Sequence, residues 1–354
     1  MKKHNFSAGP CILPQEVMKK ASEAVVELDN IGLSLIEISH RSKEFVSIME
    51  QAQSLSLELL GLQDKGYKAL FLQGGASMEF LMVAHNLLQN KAAYLNTGTW
   101  STKAIKEAKM FGELVEVASS KDGNFNYIPK GYEVPSDADY FHCTSNNTIF
   151  GTQITDFPEV NVPLVCDMSS DIFSREMDFS KFDIIYAGAQ KNMGPAGTTL
   201  VVVKEDVLGK VDRTIPSMLD YKVHIGKDSM FNTPPVFAVY TSMLTLQWLK
   251  DLGGIAAIEK VNNNKASLLY NEIDRNPLFV GFAAKEDRSK MNATFNLAEG
   301  ANGELFNSMW QEAGINGLNG HRSVGGYRAS MYNALPLESV QVLVDVMQEF
   351  ERKS

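Results

Sequence analysis

Phe182-Asp183-Ile184-Ile185-Tyr186-Ala187-Gly188-Ala189-Gln190-Lys191-Asn192-Met193-Gly194-Pro195-Ala196-Gly197, continuing into Thr198-Thr199-Leu200-Val201-Val202-Val203, decides the fold. The first run is apolar, β-branched and aromatic, the pattern of a buried strand. It narrows to Ala and Gly, then meets one lysine before a Gly/Pro turn. The second run is another buried strand, and only Asn192 to Gly197 joins the two. A parallel crossover needs about a dozen residues or more, so these strands are expected to be antiparallel. Outward from this pair, candidate strands at 67–72, 92–96, 138–144 and 162–167 alternate with helical patterns. Such alternation predicts an α/β fold with a mixed, mostly parallel sheet covered by helices.

Lys191 is the first candidate for chemistry. A lysine is rarely buried unless it is paired or chemically used. One lined by Ala and Gly at a strand end has room beside it for a bulky planar group. Desolvation there removes the ammonium proton and leaves a nucleophile for a carbonyl, as a Schiff-base lysine must be. A strand-end lysine taken alone is more often solvated, so its partners matter.

The strand Val162-Pro163-Leu164-Val165-Cys166-Asp167 ends in a carboxylate, and strand ends are where open α/β sheets bind ligands. An anion there suits the pyridine nitrogen of pyridoxal phosphate, keeping the ring protonated as an electron sink. A turn or helix-cap role is the plainer alternative for Asp167. In Leu70-Phe71-Leu72-Gln73-Gly74-Gly75-Ala76-Ser77, a strand runs through two glycines into a helix. The free N–H groups of such a helix end attract phosphate. The segment lacks the spacing of dinucleotide and triphosphate loops. Trp100, in Asn96-Thr97-Gly98-Thr99-Trp100-Ser101, has polar neighbours and could stack on an aromatic cofactor.

The chain has 354 residues, enough for a large domain and a smaller one. A net charge of -9 with no basic run argues against a nucleic-acid partner. No stretch has the length of a membrane span and no apolar segment follows the basic N-terminus, so a cytoplasmic protein is expected. Three cysteines, Cys11, Cys143 and Cys166, and six histidines show no metal-ligand spacing, so no metal is expected.

The expected organisation is an arm at 1–13, a large cofactor-binding domain at 14–254 and a small α+β domain at 255–354. Pro14 opens a helix with Val17, Met18, Ala21, Val25 and Leu28 on one face, and a second helix covers 43–60. After a helix near 235–250 come a helix at 255–275, strand-like 293–297 and 328–332 around a helix near 303–314, and a last helix at 336–351.

Several motifs together resemble the phosphoserine aminotransferase family, within the class-V aminotransferases and the fold-type-I pyridoxal-phosphate enzymes. They are Asn5-Phe6-Ser7-Ala8-Gly9-Pro10, Ser39-His40-Arg41-Ser42-Lys43, Gln73-Gly74-Gly75-Ala76-Ser77, Tyr186 to Asn192, Phe231-Asn232-Thr233-Pro234-Pro235 and Gly320-His321-Arg322-Ser323-Val324-Gly325-Gly326-Tyr327-Arg328. The resemblance covers nearly the whole chain. It implies amino transfer from L-glutamate to 3-phosphohydroxypyruvate, giving O-phospho-L-serine and 2-oxoglutarate for serine biosynthesis, with a link to pyridoxine biosynthesis left open. It implies pyridoxal phosphate as cofactor, Lys191 as its Schiff-base partner and proton carrier, and Asp167 on the ring nitrogen. By the same resemblance Trp100 stacks on the ring, Thr148 and Gln190 contact the cofactor, and Ala76 and Ser77 hold its phosphate.

Asn232 and Thr233 would reach the phosphate from a neighbouring subunit, implying a homodimer with shared sites. Arg41 and Arg328 would bind carboxylates, while His40, His321 and Arg322 would bind the second anionic group. The chain departs from part of the family in having Ala76 where some members carry arginine, and Glu79 replaces a frequent glutamine. A cysteine desulfurase, a small-amino-acid:glyoxylate aminotransferase and a catalytically silent sugar-phosphate- or nucleotide-binding α/β protein are the rival expectations. The first needs an exposed reactive cysteine, and the last needs Lys191 to be incidental.

Overall fold

The computed structural model describes residues 3–322 and 324–354. Met1 and Lys2 of the expected arm, and Ser323 of the His-Arg motif, lie outside the described residues. The strands of the main sheet are β1 (Tyr67–Leu72), β2 (Lys91–Asn96), β3 (Glu113–Ser119), β4 (Phe141–Thr144), β5 (Leu164–Asp167), β6 (Ile184–Gly188) and β7 (Thr199–Lys204). Their spatial order is β1-β7-β6-β5-β4-β2-β3. All neighbours are parallel except β7, which runs antiparallel to both β1 and β6. Thr199 faces Gly188 and Val203 faces Ile184, so the short link after Lys191 does reverse the chain.

β3 is the strand that the sequence pattern did not signal. It is an edge strand, partly exposed along its length, with Glu113 and Glu116 interrupting its apolar residues. Charged side chains are a common way to blunt a sheet edge, and they also erase the apolar run that betrays a central strand.

The inner strands are buried on both faces, as a helix-covered parallel sheet requires. Alternate residues feed two cores. Phe71, Leu95, Cys143, Cys166, Ile185 and Val202 pack with α2 (Lys43–Leu59) and α6 (Val236–Asp251). Leu72, Tyr94, Val165, Tyr186 and Val203 pack with α3 (Gly75–Leu87), α4 (Thr99–Ala108) and Tyr221 of α5 (Tyr221–Ile225). The opening helix α1 (Gln15–Val26) has Pro14 at its N-cap, a position where a missing N–H does no harm.

The C-terminal part has its own antiparallel sheet of β8 (Phe279–Gly281), β9 (Asn292–Leu297) and β10 (Tyr327–Ser330), in that order. α7 (Gly254–Arg275), α8 (Gly303–Glu312) and α9 (Leu337–Lys353) cover it around a separate apolar core. β8 is a further strand beyond the two expected. The N-terminal segment is anchored here, because His4 and Asn5 pair in parallel with Ile315 and Asn316 and Phe6 is fully buried. From that anchor it runs to Gly9, which touches Lys191.

Candidate active site

Four loops and strand ends meet at a cavity of about 320 Å³. Ala76, Ser77, Trp100, Thr148, Asp167, Gln190, Lys191, His321 and Arg328 all line it. These are nine of the fourteen residues singled out from the sequence. Ala8 and Gly9 of the N-terminal motif also line it, as do Thr144, Asn146, Ile149, Ser169 and Ser170, to which no motif points. Gly9 has a positive φ of 123°, and a Cβ there would lie 3.2 Å from Lys191 Cγ. That close approach explains a glycine in the N-terminal motif.

β6 ends at Gly188, and the turn that follows delivers Lys191 to the cavity. Its Nζ donates to Thr148 Oγ1 at 2.8 Å. Desolvation pushes the amine down to about 8, Asp167 opposes that fall, and Arg328 adds to it. About a tenth of this amine is therefore unprotonated at pH 7, against well under a thousandth for an ordinary lysine. Asp167 ends β5. Its Oδ1 accepts from Ser169 N at 2.9 Å and Ser169 Oγ at 2.7 Å. Burial raises the Asp167 carboxyl above its ordinary range, while the Ser169 bonds and Lys191 hold it down. Its second oxygen has no protein donor among the described residues, so it can serve a cation placed in the cavity.

The α3 helix begins where Gly74 takes φ 102°, and no side chain caps it. A Cβ on Gly74 would sit 2.5 Å from Met78 Cβ, so the turn needs glycine. The first N–H groups of α3, around Gly75, Ala76 and Ser77, are thus left for a ligand. Trp100 Nε1 and Thr144 Oγ1 are buried without partners among the described residues. A cavity with an unpaired carboxylate oxygen, an uncapped helix end, a flat indole and a desolvated amine fits pyridoxal phosphate.

The other wall is basic. Arg328 on β10 donates through Nη1 to Thr148 O at 3.3 Å, and burial lowers its proton affinity. His321 is depressed by burial first, then by Arg328, Arg322 and Lys103. Lys103 Nζ stands 4.5 Å over the Trp100 ring centroid. Lys103 had no motif signal; its place one turn after Trp100 on α4 is what brings it here.

The remaining sequence candidates lie elsewhere in the single chain. His40 and Arg41 sit in the turn before α2, and Arg322 is exposed. Asn232 lines a different cavity with Gln73 and Gly74, and Thr233 O accepts from Gln73 Nε2 at 2.7 Å. Both therefore flank the Gly74 turn from outside the Lys191 cavity.

Comparison with known proteins identifies the family. The class-V aminotransferase family model matches residues 3–343. A phosphoserine aminotransferase of Flavobacterium psychrophilum is 71% identical over 100% of both chains. Among solved structures, the phosphoserine aminotransferase of Bacillus circulans subsp. alkalophilus superposes with a TM-score of 0.95 at 43% identity, covering 99% of each chain. The pyridoxal-phosphate-bound phosphoserine aminotransferase of Trichomonas vaginalis gives 0.93 at 36% identity, over 98% of this chain and 100% of that one. The chain belongs to the class-V aminotransferase family, on its phosphoserine aminotransferase branch.

Proposed function

We propose that this chain is a phosphoserine aminotransferase. It moves an amino group reversibly from L-glutamate to 3-phosphohydroxypyruvate, giving O-phospho-L-serine and 2-oxoglutarate, with pyridoxal phosphate as cofactor. The observation that carries the reading is a desolvated Lys191 sharing one cavity with Asp167, an uncapped helix end and a basic wall. When bound, pyridoxal phosphate supplies the carbonyl that receives the amino group and the protonated ring that draws off charge.

The protein side of the reaction follows from the residues. The N–H groups of Ala76 and Ser77, with the Ser77 hydroxyl, would hold the phosphate. Asp167 would keep the ring nitrogen protonated, and Trp100 would cover the ring. Gln190 and Thr148 would contact the cofactor, and Thr148 also orients the Lys191 amine. Lys191 Nζ takes the Cα proton from the amino donor and returns one to Cα of the product amino acid, work for which a proton affinity near the operating pH is suited. Arg328 binds a substrate carboxylate with its planar fork. His321 and Arg322 bind the second anionic group.

His40, Arg41, Asn232 and Thr233 complete the site of a neighbouring subunit, which makes the protein a homodimer. Exposed apolar side chains beside both segments support this: Leu33 and Ile36 near the first, Phe231 and Phe237 near the second. Mixing inactive Lys191→Ala with inactive Asn232→Ala/Thr233→Ala tests it. Subunit exchange restores activity only if the clamp crosses the interface. Residues 1–13, 14–254 and 255–354 act as arm, large domain and small domain. The three cysteines are free thiols, and Cys143 Sγ donates to Cys166 Sγ at 3.7 Å, an arrangement that suits a reducing cytoplasm. No helix among the described residues is long and apolar enough to cross a membrane.

A desulfurase reading has no support from the cysteines. The Cys11 thiol donates to Lys191 O at 2.8 Å, and burial pushes it up to about 12, the reverse of a reactive thiolate. The deciding assay compares 3-phosphohydroxypyruvate with hydroxypyruvate as amino acceptors from glutamate. A strong preference for the phosphorylated acid is expected, and equal turnover of both would overturn the substrate assignment.

A further inference from the structure

One fully buried acid has no part in the reaction as derived. Glu79 of α3 has 0% exposure. Tyr221 of α5 donates its phenol to Glu79 Oε2 at 2.6 Å, while Oε1 has no partner among the described residues. Burial pushes the carboxyl up to about 8, and the Tyr221 bond is the one influence acting downward. No ammonium or guanidinium offsets it. The groups facing it are Tyr221 from α5 and Tyr186 from β6, with Tyr140 behind Tyr221. The Tyr186 hydroxyl is in turn bonded to His142 Nε2 at 2.7 Å. On α3 itself the next titratable side chain is His85, packed on Phe111 at the far end of the helix.

Position on the helix gives this acid its reach. Helical side chains point back toward the N-terminus, and residues four and three apart share a face. Glu79 therefore shares its face with Gly75 and Ala76, whose N–H groups form the uncapped helix end. A carboxylate there would oppose an anion held one turn away in a dry, weakly screening interior. A carboxylic acid would not, and it has the outline of a glutamine side chain.

We propose that Glu79 is a positioning residue that must carry a proton for the α3 end to hold the cofactor phosphate at full strength. The proposal rests on the reading of that helix end as the phosphate site. Proton and phosphate then assist one another. Glu79 stays protonated below its titration, and phosphate affinity falls as rising pH removes the proton. By linkage, bound phosphate tightens the hold on the proton by the same factor.

The test uses pyridoxamine 5′-phosphate, which carries the phosphate but no carbonyl for Lys191. Cofactor-free wild type, Glu79→Gln and Tyr221→Phe are titrated by tryptophan fluorescence from about pH 6.5 to about pH 9.5. Each is checked for folding by circular dichroism. The two affinities of wild type and Glu79→Gln should agree at the acid end, with wild type about tenfold weaker at the alkaline end. Their ratio should stay flat with pyridoxamine, which lacks the phosphate. Tyr221→Phe removes the donor that favours the carboxylate, so its loss of affinity should move to higher pH. This arm stands even if Glu79→Gln does not fold. A flat ratio with pyridoxamine 5′-phosphate, the same pH-dependent ratio with pyridoxamine, or a shift to lower pH in Tyr221→Phe overturns the proposal. Failure of pyridoxamine 5′-phosphate to bind wild type at any pH overturns the cofactor reading and this proposal with it.

Discussion

Lys191 and Lys265 are both drawn below the ordinary lysine range by burial, to about 8 and about 7. Their surroundings divide them. Lys265 lies on α7 with 0% exposure, and its Nζ donates to Met331 O at 3.0 Å, Tyr332 O at 2.8 Å and Leu335 O at 3.1 Å. An ammonium has three hydrogens, and all three are used. Lys191 spends one on Thr148 and faces a cavity with the rest. Desolvation alone does not make an amine reactive. Hydrogen-bonding capacity left over, and space for a carbonyl to approach, separate the two.

The sharpest way to break this contrast is to remove each amine. Lys191→Ala should lower turnover by more than ~10³-fold, because it removes both the nucleophile and the proton carrier. A coupled assay on the purified variant measures this, with thermal unfolding as control. Near-normal turnover would return Lys191 to the rank of an ordinary strand-end lysine. Asp167→Asn should come next, at about 10²-fold. Its shape is kept and its two bonds from Ser169 can persist, but the charge facing the cavity is gone. Stopped-flow spectra of each half-reaction should show slower proton transfer with cofactor still held. An unchanged rate would mean that another group supplies the negative charge.

The same contrast shows what a sequence can and cannot reveal. Lys191 and Asp167 are legible because each ends an apolar strand, where a lone charge stands out. The antiparallel β6–β7 pair is legible because Asn192 to Gly197 is too short for a crossover. Lys265 is hidden in Asn262-Asn263-Asn264-Lys265, which looks like a solvated helix face, yet Asn262 and Lys265 are buried. Asn262 Nδ2 donates to Ser174 O in the loop after β5 and to Asn333 Oδ1 after β10, each at 2.9 Å, tying α7 to one loop of each sheet. Such polar burial depends on partners far away in sequence, so no local pattern announces it. The buried row of Tyr140, Tyr94, His142 and Tyr186 is equally silent, since each sits in a strand or, for Tyr140, just before one, where an aromatic residue is ordinary.

Lys265→Met probes the other half of the contrast. It keeps much of the volume but takes the lysine donor from three carbonyls just after β10, of which Tyr332 O keeps its bond from Leu335 N. Loss of buried hydrogen bonds of this kind predicts a destabilisation of about 2–4 kcal/mol, read from the denaturant midpoint. The turnover of the folded fraction should change far less than in Lys191→Ala. Turnover lost without loss of stability would mean that Lys265 takes part in chemistry.

The smallest expected effect is the most discriminating, because it sets the two amines against one pH scale. The ordinary lysine value is 10.5, and burial brings Lys265 down to about 7 in the folded chain. Between these limits the unfolded chain binds a proton that the folded chain lacks, so stability rises with pH across that window. The three carbonyls favour the ammonium and work against burial, so the rise should be about 1–2 kcal/mol. Glu79 contributes with the opposite sign from its ordinary 4.5 up to about 8, because there the folded chain holds the extra proton. Comparing wild type with Lys265→Met cancels that contribution. The variant's deficit in stability should therefore widen as pH rises from about 7 toward about 10. Lys191 should report in reactivity instead. Covalent uptake of pyridoxal phosphate by the free enzyme should speed up with pH and level off above about 8, as the amine loses its proton. Lys265→Met should leave that uptake profile in place. An uptake profile that moves with Lys265, or a stability difference that ignores pH, would show that the two buried amines are not separated as their hydrogen bonds imply.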